Sequence, residues 1–142
     1  MYWKIALAQH PMYLLIKEDS QCAERTWPWG EPTIERYIDR LRRSLATLRR
    51  YARLKVGFEW SGLELELLAQ EGPDVFQDMC ALAKEGRVAF YNGTYAQPHA
   101  QILGSEANYR QLAYGMSVYH DLCQYNVQTY CHQETSVHDQ MP

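Results

Sequence analysis

Four short segments of the chain hold carboxylate, imidazole or aromatic side chains that could do chemistry or bind a ligand. They are residues 9–11, 59–62, 91–98 and 132–139. Carboxylate and imidazole groups transfer protons or bind metal ions, and tyrosine and tryptophan rings pack against the faces of sugars or bases. We therefore expect the functional groups of the chain to lie in these four segments.

The last segment holds the densest group of candidate metal ligands. These ligands are His132, Glu134, His138 and Asp139. Zinc and other divalent ions bind such groups, but the spacing matches no closed-site pattern. We therefore expect no metal and no cofactor, with zinc as the minor alternative.

Each of the four segments coincides with the end of a predicted strand or directly follows it. Short, mostly apolar runs that end at proline, glycine or polar residues predict strands over residues 3–8, 55–60, 87–91 and 127–132. Apolar residues at helical spacing predict helices over residues 34–52, 62–70 and 74–84, with Asp74 as a cap, and a helix capped by Ser105. In that last helix, Tyr109, Leu112, Met116 and Tyr119 share one face.

The alternation of strands and helices is typical of parallel βαβ units, so the fold class is α/β. We expect one parallel sheet in the order 1-2-3-4, with the helical crossovers on one side. Ligands of such folds bind at the carboxyl ends of the strands. His10, Glu59, Tyr95 and Glu134 are accordingly expected to converge there.

Several of these residues have a structural interpretation beside the functional one. Glu59 alternates with the apolar Phe58 and Trp60, so it either points into the mouth of a barrel or lies on the polar face of a half-exposed strand. The rings of Trp60, Tyr91 and Tyr95 either bind a sugar or pack in the core. His10, before a proline, either binds a sugar hydroxyl or occupies an ordinary turn.

A longer stretch of the sequence resembles a known enzyme family. Residues 86–98 read GRVAFYNGTYAQP, and residues 110–115 read RQLAYG after Glu106. In order and spacing they resemble the N-terminal catalytic domain of glycoside hydrolase family 38, the α-mannosidases, and of the related family 57. The resemblance is clearest from residue 58 to residue 142.

The resemblance implies a (β/α)7 barrel with a nucleophilic carboxylate at the end of the fourth strand, a position that Glu134 holds here. A family 38 enzyme would have a zinc-binding aspartate at that position and a His-x-Asp motif after the first strand. This chain has Glu134, and Met12 follows His10 and Pro11, so the resemblance favours the metal-free mechanism of family 57. It implies a retaining glycosidase, which needs two carboxyl groups about 5 Å apart.

Such a barrel needs about 250 residues, and four strands do not close it. We therefore expect residues 1–142 to be the N-terminal part of a glycoside hydrolase barrel and to be inactive alone. An uncovered apolar inner sheet face is expected to bind the remainder of the barrel or a second copy.

Composition excludes several other classes of protein. With a net charge of −3 and the arginines of residues 36–53 opposite an apolar stripe, we expect no nucleic-acid partner. No apolar run reaches the ~18 residues of a membrane span, so we expect no membrane partner and a cytoplasmic location. The four cysteines form no CxxC pair and are expected to be reduced.

Two other functions are compatible with the same residues. A non-catalytic carbohydrate-binding relative would keep the fold without the chemistry. A metal-dependent polysaccharide deacetylase would use the ligands of residues 132–139.

Overall fold

The computed structural model describes residues 33–96 and 103–130 in full, and the backbone of residues 8–9, 12–13 and 30–31. The strands are β1 (Ala8–Gln9), β2 (Met12–Tyr13), β3 (Gly30–Glu31), β4 (Val56–Trp60) and β5 (Val88–Asn92). The helices are α1 (Ile34–Arg50), α2 (Gly62–Glu71), α3 (Pro73–Lys84) and α4 (Ser105–Cys123). The chain is therefore α/β, as the sequence predicts.

The central sheet is parallel and has the order β1-β4-β5, while β2 and β3 form a separate parallel pair. These three strands match the first three of the predicted order. The fourth is not shown, because residues 127–130 form no strand. The edge of β5 is bonded instead by the Tyr125 hydroxyl, which accepts from Phe90 N at 3.3 Å, and by Thr129 O, which accepts from Asn92 N at 3.1 Å.

The predicted helix before β4 is confirmed as α1. Thr33 caps its start, with its hydroxyl accepting from Arg36 N at 3.4 Å. Its buried residues recur at helical spacing and pack against the sheet and α3; they are Tyr37, Ile38, Leu41, Leu45 and Leu48.

Two predicted helix caps are wrong. Asp74 does not cap α3, because Gly72 precedes Pro73 as the N-cap and Asp74 lies in the first turn. Ser105 is already the first helical residue of α4, and Gly104 is its N-cap. A proline at the first helical position accounts for the shift in α3, since it needs no amide partner there.

The predicted apolar face of α4 is wrong in part. Tyr109 and Met116 are exposed, whereas the buried residues are Asn108, Gly115, Tyr119 and Cys123. Gly115 sets this rotation, because a Cβ there would collide with the backbone of residues 93–95. A helix turned the other way would place a larger residue against that loop.

Two arginines of α1 bind carboxylates of α3. Arg42 bonds Asp74 at 3.0 Å, and Arg49 bonds both Asp78 and Glu85. These two half-exposed arginines therefore link α1 to α3 and to Glu85, the C-cap residue of α3.

Cys80 of α3 and Cys123 of α4 form a disulfide bond, with their Cα atoms 5.3 Å apart. The expectation of reduced thiols is wrong for this pair, because helix packing brings together two cysteines that are 43 residues apart in sequence. The cytoplasmic location stays a prediction. Within residues 33–96 and 103–130, no helix is long and apolar enough to span a membrane.

Candidate active site

Glu59 and Tyr91 lie side by side on one face of the sheet. Phe58, Trp60 and Phe90 are buried among the helices, and side chains alternate along a strand. Glu59 therefore faces the opposite side, which is the inner face. Its partner in the β4–β5 register is Tyr91, which is partly buried on that same face.

The ring of Tyr91 extends across the neighbouring strand. A Cβ built on Gly57 would lie 2.5 Å from Cζ and Oη of Tyr91, so the ring occupies the space above that glycine. Glu59 follows Gly57 by two residues on the same face and is almost fully buried. The inner face thus places a carboxylate beside an aromatic ring near the carboxyl ends of both strands.

Trp60 does not offer its ring to a ligand. It is 1% exposed, and its ring contacts Tyr37, Phe58 and Phe90 at centroid distances of 6.2, 5.3 and 6.2 Å. The structure therefore supports core packing and corrects the predicted sugar contact. The reason is strand alternation, which puts Trp60 on the face opposite Glu59.

Tyr95 is held by α2 rather than brought beside Glu59. Its hydroxyl donates to Glu66 Oε2 at 3.0 Å, and its ring lies against Gly62. The hydrogen bond to the Glu66 carboxylate raises the pKa of the Tyr95 hydroxyl above its ordinary value. Because its hydroxyl is bonded to Glu66 of α2, Tyr95 does not join Glu59 and Tyr91 on the inner face of the sheet.

The loop after β5 is fixed on both sides by backbone hydrogen bonds. Gly62 N and Leu63 N donate to Thr94 O and Tyr95 O at 2.8 Å, so the loop satisfies the free amides at the start of α2. Tyr95 N donates to Gln111 O of α4, also at 2.8 Å. The carboxyl end of β5 is therefore rigidly placed between two helices.

The other predicted site residues, His10 and Glu134, lie outside the described residues. Glu134 is five residues beyond Thr129, whose carbonyl oxygen is bonded to Asn92 N. Of the four residues that were predicted to converge, the structure describes only Glu59 and Tyr95. These two do not lie together.

Sequence reasoning missed two residues that shape the site. A glycine within a strand, such as Gly57, indicates a bulge or a close approach, but it does not identify Tyr91 as the residue that approaches. Ser61 forms a capping box with Glu64, with Ser61 N donating to Glu64 Oε2 at 2.8 Å and Glu64 N donating to Ser61 Oγ at 3.2 Å. The S-x-x-E spacing of residues 61–64 could have revealed it.

No metal centre is found in the part of the chain with described side chains. There, His, Cys, Asp and Glu residues do not assemble in groups of three or more that could hold an ion. The candidate ligands of residues 132–139 lie outside that part.

Comparisons with known proteins agree with the α/β fold of the chain. The family model described as Glycosyl hydrolase family 57 matches residues 2–142. Among solved structures, the 4-alpha-glucanotransferase from Thermococcus litoralis has a similar fold, with a TM-score of 0.62 and 15% sequence identity. The similarity covers 88% of this chain and 18% of that chain. No curated protein matches the sequence.

The family match defines the class of protein as the glycosyl hydrolases. The chain belongs to glycosyl hydrolase family 57. The resemblance to family 38 is not confirmed by these comparisons. The chain spans only 18% of the length of the glucanotransferase that it resembles in fold.

Proposed function

We propose that residues 1–142 form the N-terminal part of a catalytic barrel that cleaves or transfers α-linked sugars. Family membership over residues 2–142 supports this function. The geometric observation that carries it is the pairing of Glu59 with Tyr91 on the inner face of the sheet. A carboxylate beside an aromatic ring binds sugar hydroxyls and C–H groups together.

In the proposed reaction Glu134 is the nucleophile and the configuration at the anomeric carbon is retained. Its carboxylate attacks that carbon, and the leaving oxygen takes a proton from a second carboxylic acid. The resulting glycosyl ester is then cleaved by water in hydrolysis, or by a sugar hydroxyl in transfer. His10, Glu59 and Tyr91 bind the substrate, and no metal takes part.

Two substrates fit this reaction. The family 38 resemblance implies an α-mannoside. The name of the glucanotransferase instead points to an α-1,4-glucan, and membership of family 57 favours that choice. Maltohexaose and 4-nitrophenyl α-mannoside are therefore the two probes.

The decisive experiment replaces Glu134 by Gln in the full-length protein. The change keeps the shape of the side chain and removes the nucleophile, so kcat should fall roughly a thousandfold or more while maltohexaose still binds. Glu106→Gln is the matched control, because Glu106 is an exposed carboxylate bonded to Arg110 on α4. A slow, activated fluoroglycoside should leave a covalent adduct on Glu134 of the wild type.

Other results would contradict the assignment. Normal turnover by Glu134→Gln, or an adduct on another residue, would show that Glu134 is not the nucleophile. Loss of activity with a chelator and no adduct would favour a deacetylase. Sugar binding without any turnover would favour a non-catalytic relative.

The inner face of the sheet is not the apolar surface that was expected to bind the remainder of the barrel or a second copy. The inner-face residues Gly57, Glu59, Ala89 and Tyr91 are small, acidic or polar-tipped, so the described part of the sheet has no large apolar inner face. Exposed large apolar side chains lie on α4 instead, and Tyr109 and Met116, seven residues apart, share one face of that helix. We propose that the remainder of the barrel covers this face, and light scattering of residues 1–142 alone should then show self-association.

A further inference from the structure

Gly57 lies on the inner face of β4 at the position where the ring of Tyr91 crosses from β5. Any side chain at residue 57 would occupy the volume that the ring now fills, since a Cβ there would overlap the ring. The ring is therefore in this place because residue 57 is a glycine. In an ordinary strand, Tyr91 would stand upright on β5 and leave β4 uncovered.

Gly57 determines where the Tyr91 ring lies relative to the carboxylate of Glu59. Gly57 pairs with Ala89 and Glu59 pairs with Tyr91 in the parallel register. A ring that leans from Tyr91 over Gly57 lies deeper than Glu59 on the same face, two residues closer to the start of β4. The carboxylate then stands beside the aromatic surface, nearer the carboxyl ends of the strands.

We propose that Gly57 is a positioning residue that places the Tyr91 ring as the floor of the sugar site beneath Glu59. The inference rests on the proposed function, and it names Gly57 and the ring position as determinants of sugar affinity. Gly57 contacts no substrate and acts only through Tyr91. A single added methyl group is therefore expected to displace the ring and weaken sugar binding while the nucleophile is unchanged.

The test measures maltohexaose binding and turnover by the full-length protein. Gly57→Ala should raise Kd and KM about tenfold, the scale of one lost aromatic contact, and leave kcat within about twofold. Gly104→Ala is the matched control, because a Cβ at Gly104 meets no atom within 4 Å. Its Kd should equal that of the wild type.

A double-mutant cycle separates positioning from a general structural effect. Once Tyr91→Ala has removed the ring, adding Gly57→Ala should change Kd less than about twofold. An equal effect of Gly57→Ala with and without the ring would overturn the proposal, as would a Kd unchanged by Gly57→Ala. If Gly57→Ala does not fold, Tyr91→Leu keeps the glycine and should itself weaken binding about tenfold, and unchanged binding would overturn the proposal.

The outcomes distinguish this inference from the proposed function. A fully active Glu134→Gln variant would overturn the nucleophile, yet the Kd cycle would still test Gly57. Turnover that depends on Glu134 with a Kd insensitive to Gly57 would overturn only the positioning role. A wild type that binds neither maltohexaose nor the α-mannoside would overturn both.

Discussion

The hydroxyl of Tyr119 donates a 2.7 Å hydrogen bond to the backbone oxygen of Trp60, the last residue of β4. Both residues are buried, and the rings of both contact the ring of Phe90. This contact ties α4 to the end of the strand that carries Glu59. Helix α4 therefore fixes the position of the end of β4, next to Glu59 at the candidate site.

Tyr119→Phe should destabilise the protein by about 1–3 kcal/mol, because the Trp60 carbonyl would lose its partner in a site that water does not reach. Urea unfolding monitored by circular dichroism measures the change. Tyr109→Phe is the control, since Tyr109 is exposed on the same helix. Equal midpoints for the two variants would show that the buried hydrogen bond contributes nothing.

Arg87 binds the carboxyl end of α1 to the start of β5. Its guanidinium donates to the carbonyl oxygens of Leu48, Tyr51 and Leu54 at 2.6, 2.7 and 2.8 Å. Arg87→Lys cannot reproduce this fork of donors, so the free energy of unfolding should fall by about 1–3 kcal/mol. Thermal unfolding measures it, and Arg43→Lys on the exposed face of α1 should leave Tm unchanged.

The elements that were predicted correctly carry local signals. In α1, apolar residues at helical spacing follow Pro32 and Thr33, which mark a helix start. Strand β4 ends directly before Ser61 and β5 ends at Asn92, and such polar residues interrupt an apolar run. The alternation of Phe58, Glu59 and Trp60 also indicates opposite faces for Glu59 and Trp60, and applying it to Trp60 would have excluded the predicted sugar contact.

The elements that were missed depend on contacts between distant residues. Residues 127–130 favour a strand by composition, and the sequence does not show whether they pair with β5 along its whole length. In the structure, β5 is bonded in this region by the Tyr125 hydroxyl and the Thr129 carbonyl oxygen. The rotation of α4 follows from Gly115, which in sequence is only a poor helix former. The Gly57–Tyr91 contact joins residues 34 positions apart, and no local pattern predicts it.

Acid should weaken the α1–α3 contact through Asp74. The hydrogen bond from Arg42 holds the pKa of Asp74 below its ordinary value. A carboxylate with a lowered folded pKa stabilises the fold above its unfolded pKa and loses that contribution as pH falls through the folded pKa.

The difference in unfolding free energy between wild type and Asp74→Asn should therefore be full above about pH 5 and shrink as pH falls through the lowered folded pKa of Asp74. Urea unfolding at each pH gives the profile. Glu71→Gln, at an exposed end of α2, is the control. A difference that grows on acidification would have the wrong sign for this ion pair.

The Cys80–Cys123 disulfide should contribute most of its stability by restricting the unfolded chain. The bond closes a loop of 43 residues, and the chain-entropy estimate for that length is about 4 kcal/mol. Dithiothreitol should therefore lower the urea midpoint of the wild type. The Cys80→Ser/Cys123→Ser double variant should have the lower midpoint already and should not respond to the reductant.

Digestion without reductant should yield a peptide containing Cys80 linked to one containing Cys123. Failure to find that linked pair, or an equal response of both proteins to dithiothreitol, would contradict the bond as the stabilising link between α3 and α4.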